Sequence, residues 1–288
     1  MKKLAMLCLI LSLLLSGCGL VAEKATVTPD PSQLTKYEFT EDTFPRIAGS
    51  AALEPLGEAV AAAMLGTTRE AAEAYLDFGS TDEAYRALAD QDCALVLAAD
   101  PSDALAEELG DSVTFAPIAR DALVFYVNAA NPVDNLSVEQ LRSIFSGEIT
   151  NWSEVGGDDV ELRAFTRTEG SGTRTAMERL VMGGTAPETM DEPSENVPDG
   201  SEGAIAFGFG YSVQTMGMAE GYKVLSIDGV QPTNEAVSAG DYPLTVSYYA
   251  AYSAASAEGS PERVVAGWLQ GSEGRRFLSE QGYVPAER

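Results

Sequence analysis

The sequence contains no histidine, and only 18 Lys and Arg residues stand against 44 Asp and Glu, a formal net charge of −26. Without imidazole, the side chain best suited to proton transfer near neutrality and the commonest metal ligand are both missing. The deficit of cations excludes a nucleic-acid partner, which requires a basic footprint. Tryptophan is limited to Trp152 and Trp268, and both sit in apolar patterns that read as core rather than as sugar-stacking platforms. No apolar run is long enough to span a bilayer: the stretch Leu4 to Leu15 falls short of the roughly 20 residues a membrane helix needs.

That stretch has another reading. Met1-Lys2-Lys3, the apolar run, and then Leu15-Ser16-Gly17-Cys18 have the layout of a cleavable export signal covering residues 1–17. The small residues before Cys18 resemble the lipobox of bacterial lipoproteins. The resemblance implies a lipid on Cys18, a membrane attachment through it, and a location on the outer face of the cytoplasmic membrane. An ordinary signal peptide that happens to carry a cysteine is the plainer alternative. Cleavage removes Cys8, and an acylated Cys18 leaves Cys93 with no partner for a disulfide. Cys93 itself lies in an apolar run ending at Ala98 and reads as packing.

Stability therefore has to come from a core. About 270 residues remain, 45% of the sequence is hydrophobic, and that length suggests two domains. The segment 18–36 is rich in Thr, Pro and Ser and reads as a flexible tether, with folding expected to begin near Tyr37. Short apolar strands then alternate with amphipathic helices, the pattern of an α/β fold with largely parallel sheets. Arg46 to Ser50 leads into a helix with apolar positions Leu53, Leu56, Val60 and Met64. Tyr75 to Phe78 leads into a helix over Asp82 to Leu88, and Cys93 to Ala98 runs to Asp100-Pro101-Ser102. Further strands are expected at Asp121 to Asn128 and Glu161 to Phe165. Between them a capping box at Ser137 and Gln140 starts a helix that buries Leu141, Ile144 and Phe145. Strand ends of this kind are where open α/β sheets collect ligands.

One loop carries chemistry. Arg167-Thr168-Glu169-Gly170-Ser171-Gly172-Thr173 joins a strand to a helix. Free N–H groups at the helix start, hydroxyls on Ser171 and Thr173 and the planar guanidinium of Arg167 suit a tetrahedral oxyanion. A glycine turn that only caps a helix gives a similar local pattern. The acidity of the chain is compatible with anion binding if the contacts are short and buried, since surface charges are screened beyond about 8–10 Å. The acidity itself serves solubility.

Around this loop the sequence resembles the phosphate-binding proteins of bacterial ABC importers. Asn131 to Ser137, the long segment Leu141 to Gly157, Glu169 to Arg174, Gly203 to Phe207, Ile227 to Thr233, Tyr242 to Leu244 and Gly282 to Pro285 carry the likeness across nearly the whole mature chain. It implies a type II periplasmic-binding-protein fold, two α/β lobes joined by two hinge crossovers near Ile118 to Phe125 and Pro243 to Ser247. Lobe 1 is then 37–120 plus 247–288, and lobe 2 is 121–246. The resemblance also implies a monomeric receptor for inorganic phosphate, without cofactor or enzymatic activity, that serves ABC permease and ATPase subunits. Its phosphate-gripping positions fall on Arg167, Ser171, Gly172 and Thr173, with Glu169 where an acid is usual and Asp100 as acceptor for the proton of HPO₄²⁻, a proton that sulfate lacks.

Two departures stand out. Relatives place a Thr or Ser after the first Gly-Ser, whereas Ala51 and Ala52 follow Ser50 here, so that backbone N–H groups and Ser50 must serve; in the second loop Ser80 and Thr81 are the candidates. The segment between Asn196 and Gly203 is also too short for the helix relatives carry there. Another oxyanion, a sensor on the same fold and a phosphohydrolase stay open as alternatives; the last lacks a histidine to activate Ser171 or Thr173.

Overall fold

The computed structural model describes residues 39–188, 201–215 and 221–287. The export signal, the lipid site at Cys18, the tether and the 196–200 part of the shortened segment lie outside the described residues. The first three strands, β1 (Ile47–Ser50), β2 (Leu76–Gly79) and β3 (Leu95–Ala98), pair in parallel with β1 in the middle. The helix Glu54–Leu65 follows β1, carries Pro in its first turn and stops at Gly66, whose φ is 63°. Pro is tolerated there because the first N–H groups of a helix have no internal acceptor, and a left-handed glycine satisfies the last carbonyls. Leu53, Leu56, Val60 and Met64 are all buried, as their spacing predicts.

The remaining strands are β4 (Val113–Asn128), β5 (Asn135–Leu136), β6 (Arg163–Ala164), β7 (Ala204–Phe209), β8 (Tyr222–Val224), β9 (Ser226–Ile227), β10 (Thr245–Ser253) and β11 (Val284–Pro285). Among the described residues, nine strands form one sheet ordered β2-β1-β3-β10-β4-β7-β6, with β11 and β8 also paired to β4. β5 and β9 make a separate parallel pair. The expectation of largely parallel sheets needs correcting: β10 runs antiparallel to β3 and β4, and β7 antiparallel to β4. Parallel pairing holds among β1, β2 and β3, between β6 and β7 and in the β5–β9 pair, whereas β10 and β7 meet β4 in the opposite direction.

β4 is the spine of the molecule. Its residues Val113 to Ala122 pair with β10, and Leu123 to Val127 pair with β7. The strand expected over Asp121 to Asn128 is longer than predicted and begins at Val113. The structure accommodates Pro117 opposite Tyr249 at a register shift between Tyr248 and Tyr249, the bulge position where a missing N–H costs least. The strand expected over Glu161 to Phe165 is shorter than predicted, with regular pairing at Arg163 and Ala164 and Glu161 in an isolated bridge to Asn151.

Beyond the spine, Phe125, Phe145 and Phe207 meet with ring centroids 5.4 to 5.9 Å apart. Losing one such ring costs roughly 3–5 kcal/mol. The helix Val138–Phe145 begins with the capping box predicted for Ser137 and Gln140. Trp152 and Trp268 are core residues, and the Trp152 indole N–H donates to the Gly203 carbonyl at 2.9 Å. Burial pushes the Cys93 thiol up to about 11, so it stays protonated and unreactive near neutrality.

Candidate anion-binding cleft

The ends of β1 and β2 face the loop that follows β6 across a cleft of about 680 Å³. Ser50, Ala51, Ala52, Ser80 and Thr81 line one wall; Arg167, Glu169, Ser171, Gly172 and Thr173 line the other. Residues more than 100 positions apart in places are thus brought together by β4, which carries the chain from the first half of the sheet to the second.

The second wall gathers groups of a kind that can hold an anion. The helix Gly172–Leu180 starts at Ser171, whose side chain makes no cap hydrogen bond. Its first N–H groups therefore have no acceptor inside the helix, and its dipole favours negative charge there. The Ser171 and Thr173 hydroxyls lie 2.7 Å apart, so one of them holds the other and one proton is left to donate. Arg174 donates to Glu178 at 2.8 Å and to the Arg167 carbonyl at 3.2 Å, which fixes the backbone from which the Arg167 side chain reaches the cleft. Burial pushes the Tyr126 phenol on the cleft floor up to about 12, with the nearby Arg167 cation pulling the other way.

The two walls already touch. The Gly172 N–H donates to Thr81 Oγ1 and the Asp82 N–H to the Gly170 carbonyl, each at 3.0 Å. Glycine is required at both loop positions. Gly170 has φ 75°, and a Cβ on Gly172 would lie 2.6 Å from Thr81 Oγ1.

The first wall is quieter than the sequence suggests. Ser80 caps the helix Thr81–Ala89: its hydroxyl donates to Glu83 at 2.8 Å and accepts from the Glu83 N–H at 3.3 Å. These bonds hold the Glu83 carboxyl below its ordinary value. The Ser50 hydroxyl is buried and has no hydrogen-bond partner among the described residues. Ala51 and Ala52 contribute no side-chain donor.

Asp100 is set apart from the other predicted residues. It borders a separate cavity of about 150 Å³ on the far side of Gly172. Arg179, from the helix Gly172–Leu180, lies 3.5 Å from its carboxylate and also donates to Asp103 at 2.6 Å and to the Pro101 carbonyl at 3.0 Å. The guanidinium ties the turn after β3 to the helix Gly172–Leu180. Burial raises the Asp100 carboxyl, with Arg179 opposing. Sequence reasoning also missed Tyr126, Phe209 and Ser212, which line the cleft floor. Ser212 lies just past the end of β7 in the short helix Gly210–Thr215, another strand end meeting a helix start; that junction was the available signal.

Known proteins support this reading of the fold. The chain is 30% identical over 168 residues to the phosphate-binding protein PstS of Bacillus subtilis, covering 57% of this chain and 56% of the relative. The match thus spans little more than half the length of that relative. A second PstS, from Borreliella burgdorferi, is 22% identical over 196 residues, covering 63% of this chain and 69% of the relative. Among solved structures, a putative phosphate ABC transporter substrate-binding protein from Clostridium perfringens superposes with a TM-score of 0.66 at 22% identity, covering 84% of this chain and 98% of that one. A phosphate transport receptor from Vibrio cholerae gives 0.64 at 24%, covering 83% and 98%. The family model described as a PBP superfamily domain matches residues 34–270, a span that takes in the strands from β1 to β10 and both walls of the cleft. The chain belongs to the PBP superfamily.

Proposed function

We propose that this protein is the phosphate receptor of an ABC importer, held by a lipid on Cys18 at the outer face of the cytoplasmic membrane, and that it binds inorganic phosphate as a monomer. The observation that carries the reading is the Arg167–Thr173 loop, which delivers a guanidinium, two hydroxyls and a helix start to one wall of a cleft. Such groups hold a tetrahedral oxyanion by short, charge-assisted hydrogen bonds. The names of the relatives agree with it. The lobes are assigned to 37–120 plus 247–288 and to 121–246, meeting where β4 exchanges β10 for β7, so that closure bends the molecule there. Catalysis is no part of this function: the chain has no histidine, and the Ser171 hydroxyl is engaged with Thr173 rather than with a base.

Calorimetric titration of the purified protein with phosphate, sulfate and molybdate tests the ligand. Heat with phosphate that is lost in Arg167→Ala is the expected result. Heat with another oxyanion and none with phosphate overturns the assignment, and sulfate, which lacks the proton that Asp100 is proposed to accept, is the informative competitor. Incorporation of labelled palmitate by the wild type but not by Cys18→Ser tests the anchor.

A further inference from the structure

A buried carboxylate outside the cleft occupies the point where β4 changes partner. Asp121 is 9% exposed and pairs across the ladder with Val246 of β10, while Leu123, two residues on, pairs with Phe209 of β7. Its oxygens accept from the Ala122 N–H at 2.7 Å, from the Tyr211 N–H at 3.1 and 3.3 Å, and from the Tyr248 hydroxyl at 2.8 Å. Three separate elements, β4, β10 and the helix Gly210–Thr215, therefore end on one side chain. Burial pushes this carboxyl up to about 6 even though every one of those hydrogen bonds pulls it down. Keeping a charge in so buried a place is costly, and a purely apolar residue would fill the space without that cost.

Both groups that Asp121 holds lead to the cleft. The helix Gly210–Thr215 puts Ser212 and Val213 on the cleft lining. Tyr248 meets Phe209, also on the lining, edge to face with ring centroids 5.4 Å apart. Gly210 is matched to the carboxylate: a Cβ there would lie 2.9 Å from Asp121 Oδ1, so the helix can approach only without a side chain at that position.

We infer that Asp121 is a positioning residue for the ligand: it ties the cleft floor at Phe209, Ser212 and Val213 to the crossover in β4, so that affinity depends on a carboxylate that never touches the anion. The inference rests on the phosphate reading for its choice of probe. It predicts that the loss of the carboxylate is read at the cleft and not only in stability.

The test compares wild type, Asp121→Asn, Asp121→Ala and Gly210→Ala by phosphate titration and by amide hydrogen exchange, with and without phosphate. Asn keeps an oxygen for the backbone donors and can point its NH₂ at the Tyr248 oxygen, so it should bind within about threefold of wild type. Asp121→Ala should weaken phosphate by about tenfold or more, with faster exchange at the Tyr211 and Ser212 amides and unchanged exchange in the helix Glu54–Leu65. Gly210→Ala, which keeps the charge and displaces the helix, should weaken binding in the same direction, and it decides the matter if Asp121→Ala does not fold. Phosphate affinity within about threefold of wild type in both Asp121→Ala and Gly210→Ala overturns the inference. A wild type that binds no phosphate overturns the functional reading instead, and the exchange at Tyr211 and Ser212 then tests the positioning role without ligand.

Discussion

The two walls of the cleft are made from the same parts, a strand end, a small-residue turn and a helix start, yet they use them differently. On the wall that follows β1 and β2, the turn residues serve the protein: Ser80 closes a capping box with Glu83, the Ser50 hydroxyl is sealed from solvent, and Ala51 and Ala52 add nothing. On the wall that follows β6, Ser171 does not cap its own helix: the Gly172 N–H is held by Thr81 of the opposite wall, and the Ser171 and Thr173 hydroxyls bond each other. A helix start capped by its own turn is a folding device, and a start held only by a hydroxyl from across the cleft can exchange that hydroxyl for a ligand oxygen. Recognition should therefore be lopsided.

Replacing Arg167 by Ala removes the charge-assisted fork and should weaken phosphate by roughly 2–4 kcal/mol, about 30- to 1000-fold, in calorimetry. A loss below about threefold would mean that the second wall does not dominate. Thr173→Ala breaks the paired hydroxyls and should cost about 1 kcal/mol, near fivefold, with the melting temperature little changed. Ala51→Ser sharpens the comparison from the other side, since a donor restored to the first wall should tighten binding by a few-fold, about 0.5–1 kcal/mol.

Ser80→Ala separates folding from binding. It should lower the thermal midpoint by roughly 2–4 °C, for a cap worth about 1 kcal/mol, and leave phosphate affinity within about twofold. A large loss of affinity would place Ser80 among the ligand contacts and erase the contrast between the walls. The smallest expected effect concerns pH. Glu83 has a carboxyl lowered from 4.5 by the Ser80 bonds, so the native state gives up this proton more readily than the unfolded chain. The stabilisation is complete above the ordinary value and is lost as pH falls through the lowered one. The stability gap between wild type and Glu83→Gln, measured by urea unfolding, should accordingly narrow as the pH is taken from about 6 to about 3.

Local patterns carried the sequence reading a long way. The helix after β1, the capping box at Ser137 and the Arg167–Thr173 loop were legible because spacing, caps and turn residues lie within a few positions of one another. The match to phosphate-binding relatives extended that reading to the overall fold. What escaped was set by contacts between distant residues. Nothing near Thr81 in the sequence announces that its hydroxyl meets the Gly172 N–H, and nothing near Asp100 announces Arg179. The half of β4 before Asp121 escaped because its pairing, with a bulge that admits Pro117, is defined by the partner strand at Tyr248 and Tyr249. Asp121 looked like the start of a strand and proved to be its midpoint.

The bond between Thr81 and Gly172 has a consequence for selectivity. An anion that takes the Gly172 N–H does not fill an unused donor; it exchanges one oxygen acceptor for another. The number of hydrogen bonds stays the same, and the gain is only the difference in strength between a neutral hydroxyl and a charged oxygen, roughly a factor of two in bond strength. Uncharged molecules of the same tetrahedral shape offer no better acceptor than Thr81 already provides. On the proposed function, the contact would make the wall a comparator of charge rather than of form, with a threonine of the protein itself competing against neutral look-alikes.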